Sequence, residues 1–172
     1  MAGKTINPTR MELTRLKAKQ KTALRGHKLL KDKRDGLMKQ FMQEVRRTRA
    51  LRKRVEEGLM RAHGSFTVAA ALMSPEMLEQ ALMAPRLSTE VTVDQRNIMS
   101  IAVPVFHRAE QETQPDLACY GFAQTSGELD DALQALNRVY SDLLELAQAE
   151  KTVQLLAQDI ERTRRRVNAL EY

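Results

Sequence analysis

The sequence is poor in aromatic residues and in cysteine. Aromatic residues make up 4% of 172 residues, Trp is absent, and Cys119 is the only cysteine. A single cysteine excludes a disulfide within the chain and fits a reducing compartment. Compact cores usually rely on aromatic side chains, whereas the narrow seam between two long helices can be filled by Leu, Val and Ala. The composition therefore favours long paired helices.

Proline is missing from two long stretches, residues 9–74 and 116–172. The five prolines are Pro8, Pro75, Pro85, Pro104 and Pro115. Because proline interrupts a helix interior, both stretches can be helical throughout. We expect the first helix to have Asn7 as its N-cap and Pro8 as its first residue. The second helix is predicted to begin near Ser126.

Apolar residues recur at three- and four-residue spacing along both stretches. In the first stretch they are Leu13, Leu16, Ala23, Leu30, Leu37, Phe41, Val45, Leu51, Val55 and Leu59. In the second they are Leu129, Ala132, Leu136, Val139, Leu143, Leu146, Val153, Ala157, Ile160 and Val167. A repeat sustained over this length is typical of a coiled coil. Polar residues interrupt the two seams: Gln20, His27, Arg34, Thr48, Glu150 and Arg164.

The segment between these stretches has a different pattern. Ser74 followed by Pro75 predicts the start of a short helix that Pro85 ends. Residues 87–93 alternate between apolar and polar side chains, which predicts a strand, and residues 98–103 predict a second strand closed by Pro104. Joined by residues 94–97, the strands would form a β-hairpin. Since an isolated hairpin is marginal in water, it needs support from the helix or a partner.

Together these segments predict a mainly α chain, a long antiparallel two-helix coiled coil with a small helix plus β-hairpin insert at one end. The expected domains are the N-terminal coiled-coil helix (7–63), the insert (64–120) and the C-terminal coiled-coil helix (121–172). If Arg61 lies opposite Ser126, paired residue numbers sum to about 188 and Leu16 lies level with Tyr172. Glycines within the helices, Gly26, Gly36 and Gly58, indicate either close helix approach or simple tolerance.

Positive charge is concentrated in the first 63 residues, which hold 19 Lys and Arg against 6 Asp and Glu. The remaining residues hold 9 against 16, so the halves carry +13 and −7 and together give +6. Arg46, Arg47, Arg49 and residues 52–54 are expected to pair with acidic residues of the second helix, namely Asp130, Asp131 and Asp142, with phosphate binding as the alternative. A second basic group is predicted to form a collar that attracts an acidic partner, a solvated face being the alternative: Lys21, Arg25, Lys28, Arg164, Arg165 and Arg166.

Motifs for catalysis or cofactor binding are missing from the sequence. Gly121 and Gly127 do not have the spacing of a phosphate-binding loop, and His27, His63 and His107 are too far apart for a metal motif. We therefore expect no cofactor, no metal and no catalytic site. No run approaches the roughly 20 apolar residues of a membrane helix, so direct membrane insertion is not expected. A nucleic-acid binder would interleave aromatic residues with its basic patches, and this sequence does not.

Both ends of the sequence resemble the D subunit of V/A-type rotary ATPases, in the variant of Gram-positive bacteria. The opening similarity runs through Asn7-Pro8-Thr9, Leu13, Leu16 and residues 26–35, GHKLLKDKRD. The closing similarity is the segment ERTRRRVNALE at residues 161–171, and the insert with SPEMLEQALM and RNIMSIAVP has the expected place and length. In the family the second helix continues past this motif, so the chain is expected to be a fragment or a truncated form.

The resemblance implies a central-stalk rotor, or axle, of an ATP synthase or ATPase that couples ATP chemistry to hydrogen-ion or other ion transport. It implies contacts with the catalytic A and noncatalytic B subunits, with the small F subunit, and with a funnel-shaped subunit on the membrane rotor. The collar would touch the ring, and Met99, Ile101 and Val103, expected to share a strand face, would contact the F subunit. The location would be cytoplasmic, peripheral to the cell membrane through the complex. The alternative is a coiled-coil scaffold or nucleic-acid-binding protein.

Overall fold

The chain is mainly α in the computed structural model, which describes residues 8–83, 89–108, 120–121 and 125–171. These residues form helices α1 (Arg10–Leu72), α2 (Pro75–Leu82) and α3 (Gly127–Glu171), and strands β1 (Val91–Ile98) and β2 (Ile101–Arg108). Two long helices flank a short helix and a β-hairpin, so the predicted fold class is confirmed.

Helix α1 begins two residues later than predicted. The backbone N–H of Glu12 donates to Thr9 Oγ1 at 3.3 Å, and the N–H of Leu13 donates to the Thr9 carbonyl at 3.0 Å. Thr9 is therefore the N-cap, and Thr9 with Glu12 has the spacing of a capping box. Pro8 precedes the helix, and Asn7 lies outside the described residues.

The same helix continues beyond residue 63, where its end was expected. It runs to Leu72, and the polypeptide reaches Ser74 before Pro75 begins the next helix. Gly64 costs a helix about 1 kcal/mol relative to Ala. Packing of half-buried Phe66 and burial of Ala69 in the core favour continuation of the helix, because removing apolar surface from water contributes about 25 cal/mol per Å².

By its packing the chain divides into two units. The first comprises Met1–Met42 and Leu155–Tyr172. Within it α1 and α3 pack antiparallel, since His27 contacts Glu171 and Lys33 contacts Asp159. Its buried residues are few, and one of them is polar: Leu37, Leu156, Thr163 and Val167.

The second unit comprises Gln43–Gln154. Here too the long helices run antiparallel, since Arg54 bonds to Asp142 and Arg47 to Glu145. The buried positions of α1 follow the alternating three- and four-residue steps of a heptad seam: Leu51, Val55, Gly58, Ala62 and Ala69. Those of α3 in this unit are Leu129, Ala132, Val139, Ala149 and Thr152. A coiled-coil arrangement is thus present, as predicted.

The predicted register between the helices is wrong by about ten residues. Contacts pair His27 with Glu171 and Gly58 with Val139, so the paired numbers sum to 198 and 197 rather than about 188. The prediction anchored the register on a helix end at residue 63, and α1 continues to Leu72. Glu171 is therefore level with His27 and not with Leu16.

The seam of α3 also lies one position away from the predicted one at three places. Ala149, Leu156 and Thr163 are buried, whereas Glu150, Ala157 and Arg164 are exposed. Two of the predicted interruptions, Glu150 and Arg164, thus lie outside the seam. Burying an unpaired charge costs several kcal/mol, so a buried alanine or threonine in their place is favoured.

Helix α2 packs where α1 ends and α3 begins. The Ser74 hydroxyl accepts from the N–H of Met77 at 3.3 Å, which confirms the predicted N-cap. A hydrophobic cluster joins all three helices through the buried residues Ala69, Met73, Ala81 and Leu129. Phe66, Met77, Leu78, Tyr120 and Leu133 pack around it. Pro85, the predicted end signal, lies outside the described residues.

The β-hairpin turns at Met99 and Ser100 rather than over residues 94–97. Both residues have positive φ, 51° and 72°, as in the two-residue turns that match strand twist. The Asn97 side chain stabilises the turn by accepting from the N–H of Ser100 at 2.8 Å. Of the predicted first strand, Leu87 and Ser88 lie outside the described residues.

Pro104 lies inside β2 instead of closing it. In the register it pairs with Gln95, three positions from the turn-closing pair Ile98–Ile101. Hydrogen-bonded and non-bonded pairs alternate in an antiparallel ladder, which makes this a non-bonded pair. The nitrogen of Pro104 therefore points away from β1, where its missing hydrogen breaks no ladder bond.

Candidate partner-contact surfaces

The predicted collar residues of α1 form one exposed face. Lys21, Arg25 and Lys28 are spaced by four and three residues, which places them on the same side of the helix, and all three are exposed. On α3 the three consecutive residues 164–166 are also exposed and together cover more than half of the helix circumference. Both groups belong to the first unit.

These two groups are offset along the helices rather than level. The His27 Nε2–Glu171 Oε1 distance is 3.1 Å, and the Lys33 Nζ–Asp159 Oδ2 distance is 3.3 Å. Arg164, Arg165 and Arg166 lie between these contacts and are therefore level with α1 residues between 27 and 33. Lys21 and Arg25 lie beyond the His27 level. The expected single ring of charge is thus two adjacent basic patches, with Lys28 nearest to the α3 group.

Only part of this charge is neutralised within the chain. Arg165 pairs with Glu161, and Arg162 lies 4.0 Å from Asp159. Within the described part of the chain, the remaining collar residues have no ion pair: Lys21, Arg25, Lys28, Arg164 and Arg166. Five exposed cations close together that lack an ion pair create a field that attracts an acidic surface.

By contrast, three arginines of α1 in the second unit are neutralised by α3. Arg47 Nη2 lies 2.5 Å from Glu145 Oε1, Arg52 Nη2 lies 2.5 Å from Glu150 Oε1, and Arg54 bonds to Asp142. The hydrogen bonds to Glu145 and Glu150 raise the pKa of Arg47 and Arg52 above the usual value. The predicted pairing with α3 is confirmed for these three arginines. Lys53 pairs instead with Glu57 of its own helix, and Arg46 and Arg49 have no ion pair in the described part of the chain.

The predicted acidic partners were only partly correct. Asp142 is a partner, but Asp130 accepts from the Tyr120 hydroxyl at 2.6 Å, and Glu145 and Glu150 were not foreseen. The shifted register explains this difference, because it moves the α1 arginines toward later residues of α3. Cations paired in this way are less available to an outside partner.

The hairpin is held against α3 by polar contacts at its outer edge. The N–H of Phe106, in a non-bonded pair of the ladder, points away from β1 and donates to Gln148 Oε1 at 3.1 Å. Arg108 donates to Asn137 Oδ1 at 3.1 Å and lies 5.3 Å from the ring centre of Tyr140. The hairpin therefore lies beside α3 and does not cap the end of the helix pair.

This position changes which hairpin residues are accessible. Ile101 and Val103 share a face of β2, but Met99 lies in the turn and does not share it. Val103 is only 3% exposed, so this chain already covers its side chain. Met99 is 40% exposed and Ile101 is half-buried. Strand β1 is exposed along nearly its whole length, including Val91 and Val93.

The described residues hold no group of three or more His, Cys, Asp or Glu side chains placed to bind a metal ion. His27 faces Glu171, His107 lies 3.5 Å from Asp94, and Cys119 lies outside the described residues. Among the described helices, none has a stretch both long and apolar enough to cross a membrane.

Comparison with known sequences decides the family. A family model that describes the D subunit of ATP synthase matches residues 12–172. The chain belongs to the ATP synthase D-subunit family. The V-type ATP synthase D subunit of Acetivibrio thermocellus is 57% identical over 173 residues, which cover 100% of this chain and 78% of that protein.

Two further relatives agree. The V-type ATP synthase D subunit of Clostridioides difficile is 56% identical over 171 residues, covering 99% of this chain and 77% of that protein. The Clostridium novyi protein of the same name is 51% identical over 174 residues, covering 100% and 81%. The resemblance drawn from the two end motifs is confirmed over nearly the whole chain, and it places this chain among the subunits of V-type ATP synthases.

One surface of this D-subunit chain was missed by sequence reasoning. An apolar groove of about 360 Å³ in the second unit is lined by Leu59, Ala62, His63, Phe66, Leu82, Ala132, Leu133 and Leu136. Leu59 and Leu136 are 38% and 47% exposed, although their spacing had assigned them to the seam. In the α1 seam Gly58 takes the place that the sequence pattern had assigned to Leu59, so Leu59 becomes a surface residue.

Proposed function

We propose that this chain is the central-stalk rotor of a V-type ATP synthase and transmits torque between a ring of catalytic A and noncatalytic B subunits and the membrane ion rotor. Membership of the D-subunit family over residues 12–172 carries this proposal. The antiparallel helix pairs support it, because long packed helices resist bending and twisting. The chain itself has no catalytic role in the proposal, and it is peripheral to the cytoplasmic side of the membrane through its partners.

A reversible cross-link tests the rotor role. Lys28→Cys in a Cys119→Ser background would be combined with single cysteines placed on the ring subunits, and the complex would be oxidised and then reduced. ATP turnover should fall in proportion to the cross-linked fraction and return on reduction. The Cys119→Ser chain without Lys28→Cys is the control. Undiminished turnover in a fully cross-linked complex contradicts rotation of this subunit relative to the ring.

The basic patches are proposed to attract the ring electrostatically. Arg164 and Arg166 have no ion pair in the described part of the chain, whereas Arg162 and Arg165 face Asp159 and Glu161. R164Q/R166Q should weaken assembly with the A and B subunits more than the matched variant R162Q/R165Q. The difference should shrink between about 0.1 and 1 M salt, as the Debye length falls from about 10 to 3 Å. Equal losses for both variants at all salt concentrations contradict this role.

The hairpin is proposed to contact the small F subunit through Met99, Ile101 and Val103, with Val103 acting mainly by holding the strand in place. Met99→Asp and Ile101→Asp should weaken binding of the isolated F subunit without altering the circular dichroism spectrum. Thr92→Asp, on exposed β1, is the control. Unchanged binding by both variants would move the contact elsewhere, with the apolar groove around Leu59 and Leu136 as the next surface to test.

A further inference from the structure

Arginine side chains from two helices converge on a second groove that pairing within the chain does not explain. The groove lies in the second unit, has a volume of about 420 Å³, and is lined by Arg54, Gly58 and Arg61 of α1 and Ala135, Arg138, Val139 and Asp142 of α3. On α1 the residues are spaced by four and three, and the α3 residues span the same two turns. Each set therefore lies on one helix face, and the two faces border the same groove.

The floor of the groove is formed by small and apolar side chains. A Cβ atom at Gly58 would clash with Cγ2 of Val139, so the two helices make close contact at this point. Ala135 adds a second small side chain at the edge of the contact. Because the side chains here are small, the backbone of a third helix could approach this surface closely, as happens where helices pack through small residues.

The charge of the groove is only partly balanced. Arg54 bonds to Asp142 and lies 3.5 Å from Glu145. Arg61 instead donates from Nε to the carbonyl of Glu57 at 3.3 Å, on its own helix. Within the part of the chain that the structure describes, neither Arg61 nor Arg138 has an ion pair. The one carboxylate that lines the groove, Asp142, is bonded to Arg54, so the guanidinium groups of Arg61 and Arg138 flank an apolar floor without an ion pair in the described part of the chain.

We propose that this groove is the docking site for an acidic helix of a companion subunit of the V-type ATP synthase. One Asp or Glu of that helix bonds to Arg61, another bonds to Arg138, and a small apolar side chain between them rests over Ala135. This inference builds on the proposed central-stalk function. The groove between two packed helices has the shape that receives a third helix, and guanidinium groups bind carboxylates by paired hydrogen bonds. Arg46 and Arg49, which are exposed elsewhere on α1, do not line this groove.

Zero-length cross-linking tests the chemistry of the contact. R61K and R138K keep the charge and place an amine where a carbodiimide joins it to any carboxylate in contact. In the complex assembled from the other subunits, both variants should give cross-links to Asp or Glu residues of one helix, identified by mass spectrometry. R49K, exposed on the same helix outside the groove, is the matched control and should give none to that helix. Products from R49K alone, or from none of the three variants, overturn the inference.

Affinity measurements distinguish the contribution of the two arginine charges to docking from the contribution of the shape of the groove. R61E/R138E should lower the affinity of the chain for the remaining complex at least about 10-fold near 0.1 M salt, and R61K/R138K should retain most of it. Ala135→Leu, which fills the floor, should lower affinity at every salt concentration. If the affinities of R61E/R138E and Ala135→Leu lie within about twofold of that of the parent chain, the docking site is wrong, and the proposed central-stalk function is unaffected.

The alternative sources of failure remain distinguishable. If the unmodified chain does not join the complex, the proposed function falls, and this inference falls with it. If R61E/R138E joins the complex normally but has lost binding of inorganic polyphosphate that the isolated parent chain shows, the groove is a phosphate site and the acidic helix is wrong. Circular dichroism should show unchanged helix content for every variant, since Arg61 and Arg138 are exposed.

Discussion

The two units of this chain use the same pair of helices in different ways. In the second unit Leu51, Val55 and Val139 are buried in the seam, and Arg47, Arg52 and Arg54 pair with acidic residues of α3. In the first unit fewer residues are buried, namely Leu37, Leu156, Thr163 and Val167, and most of the predicted collar is unpaired. We therefore expect apolar packing to stabilise the second unit more than the first, while the first unit exposes more unpaired positive charge.

Large-to-small substitutions in the two seams should give the largest effects. Leu129 and Leu156 are both 0% exposed, but Leu129 lies in the cluster formed with α2, whereas Leu156 lies in a seam of two helices. Leu→Ala in a core costs about 2–5 kcal/mol, and the cost is lower where the surroundings can close around the cavity. Leu129→Ala should therefore lie near the upper end of this range and Leu156→Ala near the lower end.

Urea unfolding followed by far-ultraviolet circular dichroism measures both free energies, and hydrogen exchange shows which unit opens first. Leu156→Ala should accelerate exchange in the first unit with less effect on amides near Leu129. A larger destabilisation by Leu156→Ala than by Leu129→Ala would contradict the claim that the second unit is the more stable one.

Glycine-to-alanine substitution should have opposite signs in the two units. At Gly58 a Cβ would clash with Val139 Cγ2, whereas at Gly26 it would meet nothing within 4 Å. Alanine improves helix propensity by about 1 kcal/mol, but overpacking costs about 1–3 kcal/mol. Gly26→Ala should therefore stabilise the chain by up to about 1 kcal/mol, and Gly58→Ala should destabilise it by about 1 kcal/mol.

A double-mutant cycle gives the control for Gly58. Combining Gly58→Ala with Val139→Ala removes the clash, so the two substitutions should couple favourably by about 1 kcal/mol or more. Thermal unfolding of the four chains measures this coupling. If the two effects simply add, the close approach at Gly58 does not explain its presence in the seam.

Fold class followed from the sequence because it depends on coarse features. The absence of proline from two stretches and a sustained heptad-like spacing left few alternatives to paired helices. The cap at Ser74 was also readable, because a hydroxyl before a helix satisfies free N–H groups, and the predicted start near Ser126 agrees with α3 beginning at Gly127. These features are local or repeated many times along the chain, so a single misassigned residue does not alter the conclusion.

Register and turn position were not readable for a different reason. Gly58 gave no apolar signal, so the sequence favoured its neighbour Leu59 for the seam, and the error in one helix end shifted every predicted pair. The turn at Met99 and Ser100 lacks the Asn-Gly or Asp-Gly signal of such turns, and Pro104 was read as a terminator. Contacts that depend on register, including the offset of the basic patches and the Arg61–Arg138 groove, therefore needed the structure.

Replacing one carboxylate by an amide in each unit should give the smallest difference in free energy of unfolding among these comparisons. Asp142 bonds through both oxygens to Arg54, whereas Asp159 Oδ2 is buried without a hydrogen bond although Lys33 Nζ lies 3.3 Å away. Lys33 lies close to Asp159 but forms no hydrogen bond with Oδ2, so it only partly offsets the cost of removing this carboxylate from water.

Asp142→Asn should therefore cost up to about 1 kcal/mol, since surface ion pairs contribute little, and Asp159→Asn should be neutral or slightly stabilising. Urea unfolding at about 0.1 and 1 M salt measures both, and the loss in Asp142→Asn should diminish at the higher concentration, where screening already weakens the parent's ion pair. Destabilisation by Asp159→Asn equal to that by Asp142→Asn would mean that the carboxylate stabilises the first unit as the Arg54 network stabilises the second, and the contrast between the units would then rest on apolar packing alone.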